Sequence, residues 1–247
     1  HATGSERDVA VVGWEGYVAT GSRGLSRMSL AIPTDPIETY SLELPGVAVR
    51  VEVSATHSYV ACGTGGLAVV DISQNDALYH VGTYGIDVVD VSPDGDRLGV
   101  INEGRFEILD VSDPAAPALL GTYEPASGYS NYINVAMRDS LAYIGNSNYV
   151  ERLDVTDPAA IARTDSLDLN GHYHLYESRL VIEGSELLVA GRDYLGILDF
   201  ASGAVLRETK QVGEIRDAAL IAGKILAVGE ERLEIYHDGL HTNPTAD

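Results

Sequence analysis

His172-Tyr173-His174 is the stretch whose side chains come nearest to a reaction centre, because two imidazoles at i and i+2 on one strand edge can share a metal or relay a proton. A third ligand is then needed, and Asp193 is the candidate. No second histidine pair and no cysteine follows at a ligand spacing, so no metal is expected. Seven of the 14 tyrosines fall between Tyr123 and Tyr176. Tyr129, Asn131, Tyr132, Asn148, Tyr149, Tyr173 and Tyr194 suit sugar or peptide recognition, since a ring covers an apolar face while amides satisfy hydroxyls or backbone groups. Arg105, Arg192 and Arg216 add planar forks that grip a carboxylate. The plain account of the same residues is that tyrosine is a common strand residue and arginine balances a surface crowded with acids.

No catalytic constellation accompanies them. The chain has no Gly-x-Ser-x-Gly elbow and no His-Glu-x-x-His helix, and its one cysteine, Cys62, lies in an apolar strand phrase, Tyr59 to Gly63. The reading is a non-catalytic binding or scaffold module with no catalytic residue and no cofactor. It takes a protein, peptide or glycan partner through one loop face. The alternative is a hydrolase or lyase that uses His172 or His174 as general base or metal ligand, with Arg216 stabilising an anion.

The elements that must position these residues repeat. Leu109-Asp110-Val111-Ser112-Asp113-Pro114 returns along the chain, and aligning on it sets Ile32, Asp71, Asp110, Asp154, Asp199 and His237 at equivalent places, 39, 39, 44, 45 and 38 residues apart. A second landmark keeps the same rhythm at Gly21, Gly63, Asn102, Gly145, Gly191 and Gly229. Each unit holds four short apolar phrases, here called a to d, without helical periodicity, and this period suits a four-stranded propeller blade. The expected fold is all-β, a single β-propeller over residues 1–247. Its blades run near 8–45, 46–85, 86–128, 129–171, 172–214 and 215–247. They are six blades of four antiparallel strands with the last incomplete, five or seven being the alternative counts. An open last blade exposes unpaired amides, so acceptance of a strand from another chain is a third class of function.

The turns read as structure. Gly63-Thr64-Gly65-Gly66 joins two strands rather than opening a helix, so it is not a phosphate cradle. Ser92-Pro93-Asp94-Gly95-Asp96-Arg97 is expected to be a hairpin turn with Pro93 presetting it. One acid per unit at the corner after strand c argues for a cap rather than for catalysis. In a propeller the d–a and b–c loops emerge on one face, which makes that face the candidate site. About five surplus residues around 172–177 are expected to enlarge one d–a loop there.

Leu67-Ala68-Val69-Val70-Asp71-Ile72-Ser73 and Phe106-Glu107-Ile108-Leu109-Asp110-Val111-Ser112-Asp113-Pro114 resemble the LVIVD repeat over roughly residues 8 to 237. The resemblance implies a β-propeller, and a place among secreted or cell-surface proteins of bacteria and archaea that share no common activity. The first unit departs from the pattern in lacking the acid at Ile32, and the sixth has His237 there.

Composition bounds the rest. With 45% apolar and 21% charged residues the chain is globular, and no apolar run reaches the roughly 18 residues a membrane helix needs. Membrane insertion is not expected. The formal charge of −21 repels phosphate backbones, so nucleic acid is not an expected partner. Lys210 and Lys224 are the only lysines, a balance that fits a salt-adapted surface as well as an acidic extracellular one. The chain opens at His1 without a basic-then-apolar leader, so a secretion signal is expected to have been removed or to lie outside it.

Overall fold

The computed structural model describes residues 7–32, 34–74, 76–124, 132–145, 149–168, 179–191, 194–210, 215–221, 224–229 and 233–236. Every repeat becomes a sheet of antiparallel strands in chain order. Blade 1 is β1 (Asp8–Val12), β2 (Glu15–Ala19), β3 (Leu25–Ser29) and β4 (Ile37–Leu42). Blade 2 is β5 (Arg50–Val53), β6 (His57–Ala61), β7 (Leu67–Asp71) and β8 (Tyr79–Tyr84). Blade 3 is β9 (Val88–Asp94), β10 (Arg97–Asn102), β11 (Arg105–Asp110) and β12 (Ala118–Tyr123). Blade 4 is β13 (Asn134–Arg138), β14 (Leu141–Gly145), β15 (Tyr149–Asp154) and β16 (Ala162–Asp168). Blade 5 is β17 (Arg179–Glu183), β18 (Glu186–Gly191), β19 (Tyr194–Asp199) and β20 (Val205–Lys210). The sixth unit has three strands among the described residues, β21 (Ile215–Ile221), β22 (Lys224–Gly229) and β23 (Leu233–Tyr236). The fold is an all-β propeller with five complete four-stranded blades, where the repeat count predicts six units, the last incomplete. Among the described residues no helix is long and apolar enough to cross a membrane.

The chain divides into two compact units, residues 1–131 with 137–139 and 157–161, and residues 132–136 with 140–156 and 162–247. In the first, strand b of blade 2 is buried on both faces. Val60 and Cys62 pack with Tyr17, Ala19 and Leu25 of blade 1, while Tyr59 and Ala61 pack with Leu98, Val100 and Leu109 of blade 3. Both faces being dry, strands b and c read as continuous apolar runs rather than as alternation. In the second unit Ala136, Tyr143 and Val150 pack with Leu180, Val189 and Phe200 in the same manner.

Each complete blade has a register shift at one place between strands c and d, at Arg27/Met28, Val69/Val70, Ile108/Leu109, Arg152/Leu153 and Ile197/Leu198. Just past it stand Gly82 and Gly121 in strands d of blades 2 and 3. A Cβ on Gly82 would lie 2.1 Å from the Pro114 carbonyl oxygen of blade 3, and one on Gly121 would lie 1.7 Å from the Pro158 oxygen at the next corner. Each of these corners therefore seats its proline carbonyl in a gap that only glycine leaves.

The corner acids do cap. Asp71, Asp110 and Asp154 accept from the amides of Ser73, Ser112 and Thr156, and Asp199 accepts from the amide and hydroxyl of Ser202. Register corrects the first unit. His57 pairs with Asp71 and Arg97 with Asp110, whereas Glu15 pairs with Ser29, so Ser29 and not Ile32 holds the acid's place. Its hydroxyl oxygen accepts from Ala31 N in the same i+2 geometry. Ile32 stands instead where blades 3 and 4 have Asp113 and Asp157, as the bonds from Asp35, Ala116 and Ala160 back to the carbonyls of Ile32, Asp113 and Asp157 show. Pro93 is a second correction. It pairs with Leu98 inside β9 and the turn is Gly95-Asp96, because β9 is an edge strand of its sheet and an edge tolerates a residue without an amide hydrogen.

Candidate functional site

In blades 1 to 3 the end that carries the d–a and b–c loops is built by one repeated device. The turn entering blade 2 bridges Ala48 to Gly21 of blade 1, and the turn entering blade 3 bridges Val88 to Gly63 of blade 2. Ala48 N donates to the Gly21 carbonyl at 3.0 Å, and Gly63 N donates to the Val88 carbonyl at 2.9 Å. The glycine cluster at 63–66 serves this contact, since a Cβ on Gly65 would lie 1.3 Å from the Pro45 oxygen. Its glycines leave room for the neighbouring turn. Val47 and Ile86 ride on these turns at 42% and 59% exposure.

Blade 3 sets a polar cluster into that end. Glu107 is buried in the middle of strand c, where its Oε2 accepts from the Tyr84 hydroxyl of blade 2 at 3.0 Å and from Asn102 Nδ2 at 2.9 Å. Arg105 pairs with Glu103, lies 3.6 Å from Glu107 and 3.3 Å from Glu124, and its guanidinium is held above its usual range chiefly by the hydrogen bond to Glu124. The second unit has a counterpart at the same register. Glu151 accepts from the Tyr132 hydroxyl at 2.5 Å and from Arg163 Nη1 at 3.0 Å. Glu234 of β23 stands at that register too, opposite Ala227 as Glu107 stands opposite Val100.

The Tyr84 phenol is pushed up to about 12 by burial, with the Glu107 charge and hydrogen bond acting in the same direction. Burial also pushes the Tyr143 phenol up to about 12, and its hydroxyl donates to the Phe200 carbonyl at 2.7 Å. Cys62 is buried and its thiol is likewise pushed up to about 12. At neutral pH these three side chains are hydrogen-bond donors or inert filling rather than nucleophiles. Among the described residues no three His, Cys, Asp or Glu side chains gather as a ligand set.

Of the residues selected from sequence, Tyr129, Asn131, Asn148, His172, Tyr173, His174 and Arg192 lie outside the described residues, as does the loop around 172–177. Tyr132 is buried with its hydroxyl on Glu151. Tyr149 is half-buried at the start of β15, opposite Asp168. The backbone places Tyr194 opposite Gly191 and Lys210, and Arg216 at the register shift of β21. The carboxylates that organise the described loop ends, Glu107 and Glu151, were not among the selected residues. Their signal is an acid interrupting an otherwise apolar strand c.

A family model described as the LVIVD repeat matches residues 45–86 and 100–124, which are blade 2 and most of blade 3. No curated protein sequence matches the chain. Among solved structures, a protein from Lactobacillus plantarum is similar with a TM-score of 0.78 and 16% identity, covering 95% of this chain and 81% of that one. The computationally designed protein Ika8 is similar with a TM-score of 0.67 and 8% identity, covering 94% of this chain and 71% of its own. Likeness at such identities is likeness of fold.

Proposed function

We propose that this LVIVD-repeat β-propeller is a non-catalytic binding and scaffold module of the cell exterior that takes a protein, peptide or glycan partner on the face of its d–a and b–c loops. One observation carries the reading. The same backbone bridge fastens each described d–a turn to the b–c glycine of the blade before it, at Gly21 with Ala48 and at Gly63 with Val88. Turns fixed in this way hold Val47 and Ile86 outward on a platform that needs little ordering when a partner arrives. Beneath it, Glu107 accepts from Tyr84 and Asn102 and lies beside the Arg105 guanidinium, so the cluster braces the loops and leaves recognition to their tips. An exterior address rests on the resemblance to the LVIVD repeat, and the buried Cys62 is compatible with it. Nucleic acid fits poorly against a charge of −21.

The test is a screen of the purified chain against immobilised peptide and glycan libraries, repeated with the Val47→Asp/Ile86→Asp double variant. A saturable binder that the variant loses while its melting curve is unchanged supports the reading. Turnover of a library member by the parent chain replaces it with an enzyme.

A further inference from the structure

Blade 1 departs from its sister blades at the opposite end, where the a–b turns and c–d corners lie. The second residue of the a–b turn gives its carbonyl to the first amide of the corner in each of the five complete blades, with Trp14, Thr56, Asp96, Ser140 and Ser185 accepting from Leu30, Ile72, Val111, Val155 and Phe200. Four of the five acceptors are short, polar and exposed. The fifth is the chain's one tryptophan, and Trp14 stands 70% exposed. The corner changes in the same direction, for Ile32 is 57% exposed at the place where Asp113 and Asp157 cap blades 3 and 4. Leu30 is only half-buried, although Ile72, Val111, Val155 and Phe200 are buried. Two apolar residues, Trp14 and Ile32, at one tip cost solubility, and the geometry of the blade needs neither of them, since sister blades build the same turns with polar residues at both places.

The charges beside the patch indicate what it meets. Glu15 is paired with Arg27, and Glu38 with Arg23. Asp35, three residues past Ile32, has no cation beside it among the described residues. The a–b turn that carries the exposed indole bonds to the corner at Leu30, and the corner closes from Asp35 onto Ile32, so the same tip offers an aromatic face and, among the described residues, a carboxylate without a cation. That pair suits a guanidinium, which stacks on the ring and pairs with the acid while an aliphatic neighbour covers Ile32. A second copy of a chain carrying −21 is repelled from the same place. We infer that the a–b/c–d tip of blade 1, formed by Trp14, Leu30, Ile32 and Asp35, is a docking surface for an arginine-bearing apolar segment of another protein.

Trp14 being the one tryptophan, its emission reports this surface alone. The full chain is titrated with a short synthetic peptide of leucine and arginine, with the same peptide carrying glutamate for arginine, and with zwitterionic phospholipid vesicles. The inference expects a saturable blue shift with the arginine peptide only, weakened roughly tenfold or more by Ile32→Asp. That substitution restores the residue of the sister corners, so folding is not at risk. An unmoved emission, an equal response to the glutamate peptide or to vesicles, or an Ile32→Asp protein that binds as the parent does would overturn it. A blue shift that grows with protein concentration alone would assign the surface to self-association instead.

Discussion

Replacing Gly121 with alanine perturbs the tighter of the two contacts between a strand d and the next corner. The new Cβ would start 1.7 Å from the Pro158 carbonyl oxygen and 2.6 Å from its carbonyl carbon, all backbone. Ordinary Cβ contacts lie beyond about 3.4 Å, so the corner must retreat by well over 1 Å, and no rotamer can absorb the move. Overpacking of this kind costs typically 1–3 kcal/mol and occasionally more, and the rigid partner puts Gly121→Ala at about 3 kcal/mol or above. For a chain of this length that is a fall in Tm of roughly 6–12 °C. Gly95→Ala is the matched control. Gly95 has φ +63 with nothing within 4 Å of a Cβ, so only backbone strain remains, on the order of 1 kcal/mol. Urea denaturation of the two variants and the parent measures the difference. A Gly121→Ala protein as stable as Gly95→Ala would refute the account of how corner and strand interlock.

Acid should loosen the corners. Asp71, Asp110, Asp154 and Asp199 are held below the usual carboxylate range by hydrogen bonds from the hydroxyls and amides of Ser73, Ser112, Thr156 and Ser202. A depressed folded value stabilises the fold above the unfolded pKa of about 3.9 and loses that contribution as pH falls through the folded value. The urea midpoint should therefore decline below about pH 4, and less steeply in Asp110→Asn/Asp154→Asn, with equal slopes in the two proteins counting against the caps. Cys62 should resist a thiol reagent in the native protein and react fully once unfolded, because burial pushes its thiol up to about 12. Rapid native labelling would place it at the surface.

The blade repeat and the local chemistry of its turns were legible in the sequence, the first because two landmarks keep one rhythm and each unit becomes one antiparallel sheet. Asp71, Asp110 and Asp154 announce their turns because an Asx cap bonds an amide two residues on. Gly63 to Gly66 and the buried Cys62 read correctly for the same reason. Ile32 was misplaced because strand b, which sets the register, is remote from it in sequence, and only the pairing of Glu15 with Ser29 reveals that Ser29 has taken the acid's role. Pro93 looked like a turn residue because nothing local marks β9 as an edge strand. Gly-Thr-Tyr recurs at 82–84 and at 121–123. Its glycines fit Pro114 and Pro158 of the following corner, a relation between blades that periodicity cannot display. Glu107 and Tyr84 are joined likewise across blades, so their bond has no signature within either repeat. The aromatic and histidine residues chosen for recognition fall mostly outside the described residues, and Tyr132 gives its hydroxyl to Glu151.

The central claim is that the d–a and b–c loops form a braced recognition platform, and the most direct measurement is hydrogen exchange of the purified chain with and without the best library binder. The account predicts slow exchange at Ala48 and Gly63, whose amides make the inter-blade bridges, already in the free protein, with added protection confined to the loops on that face. Fast exchange of those two amides in the free protein, or protection falling at the a–b turns and c–d corners instead, would contradict it.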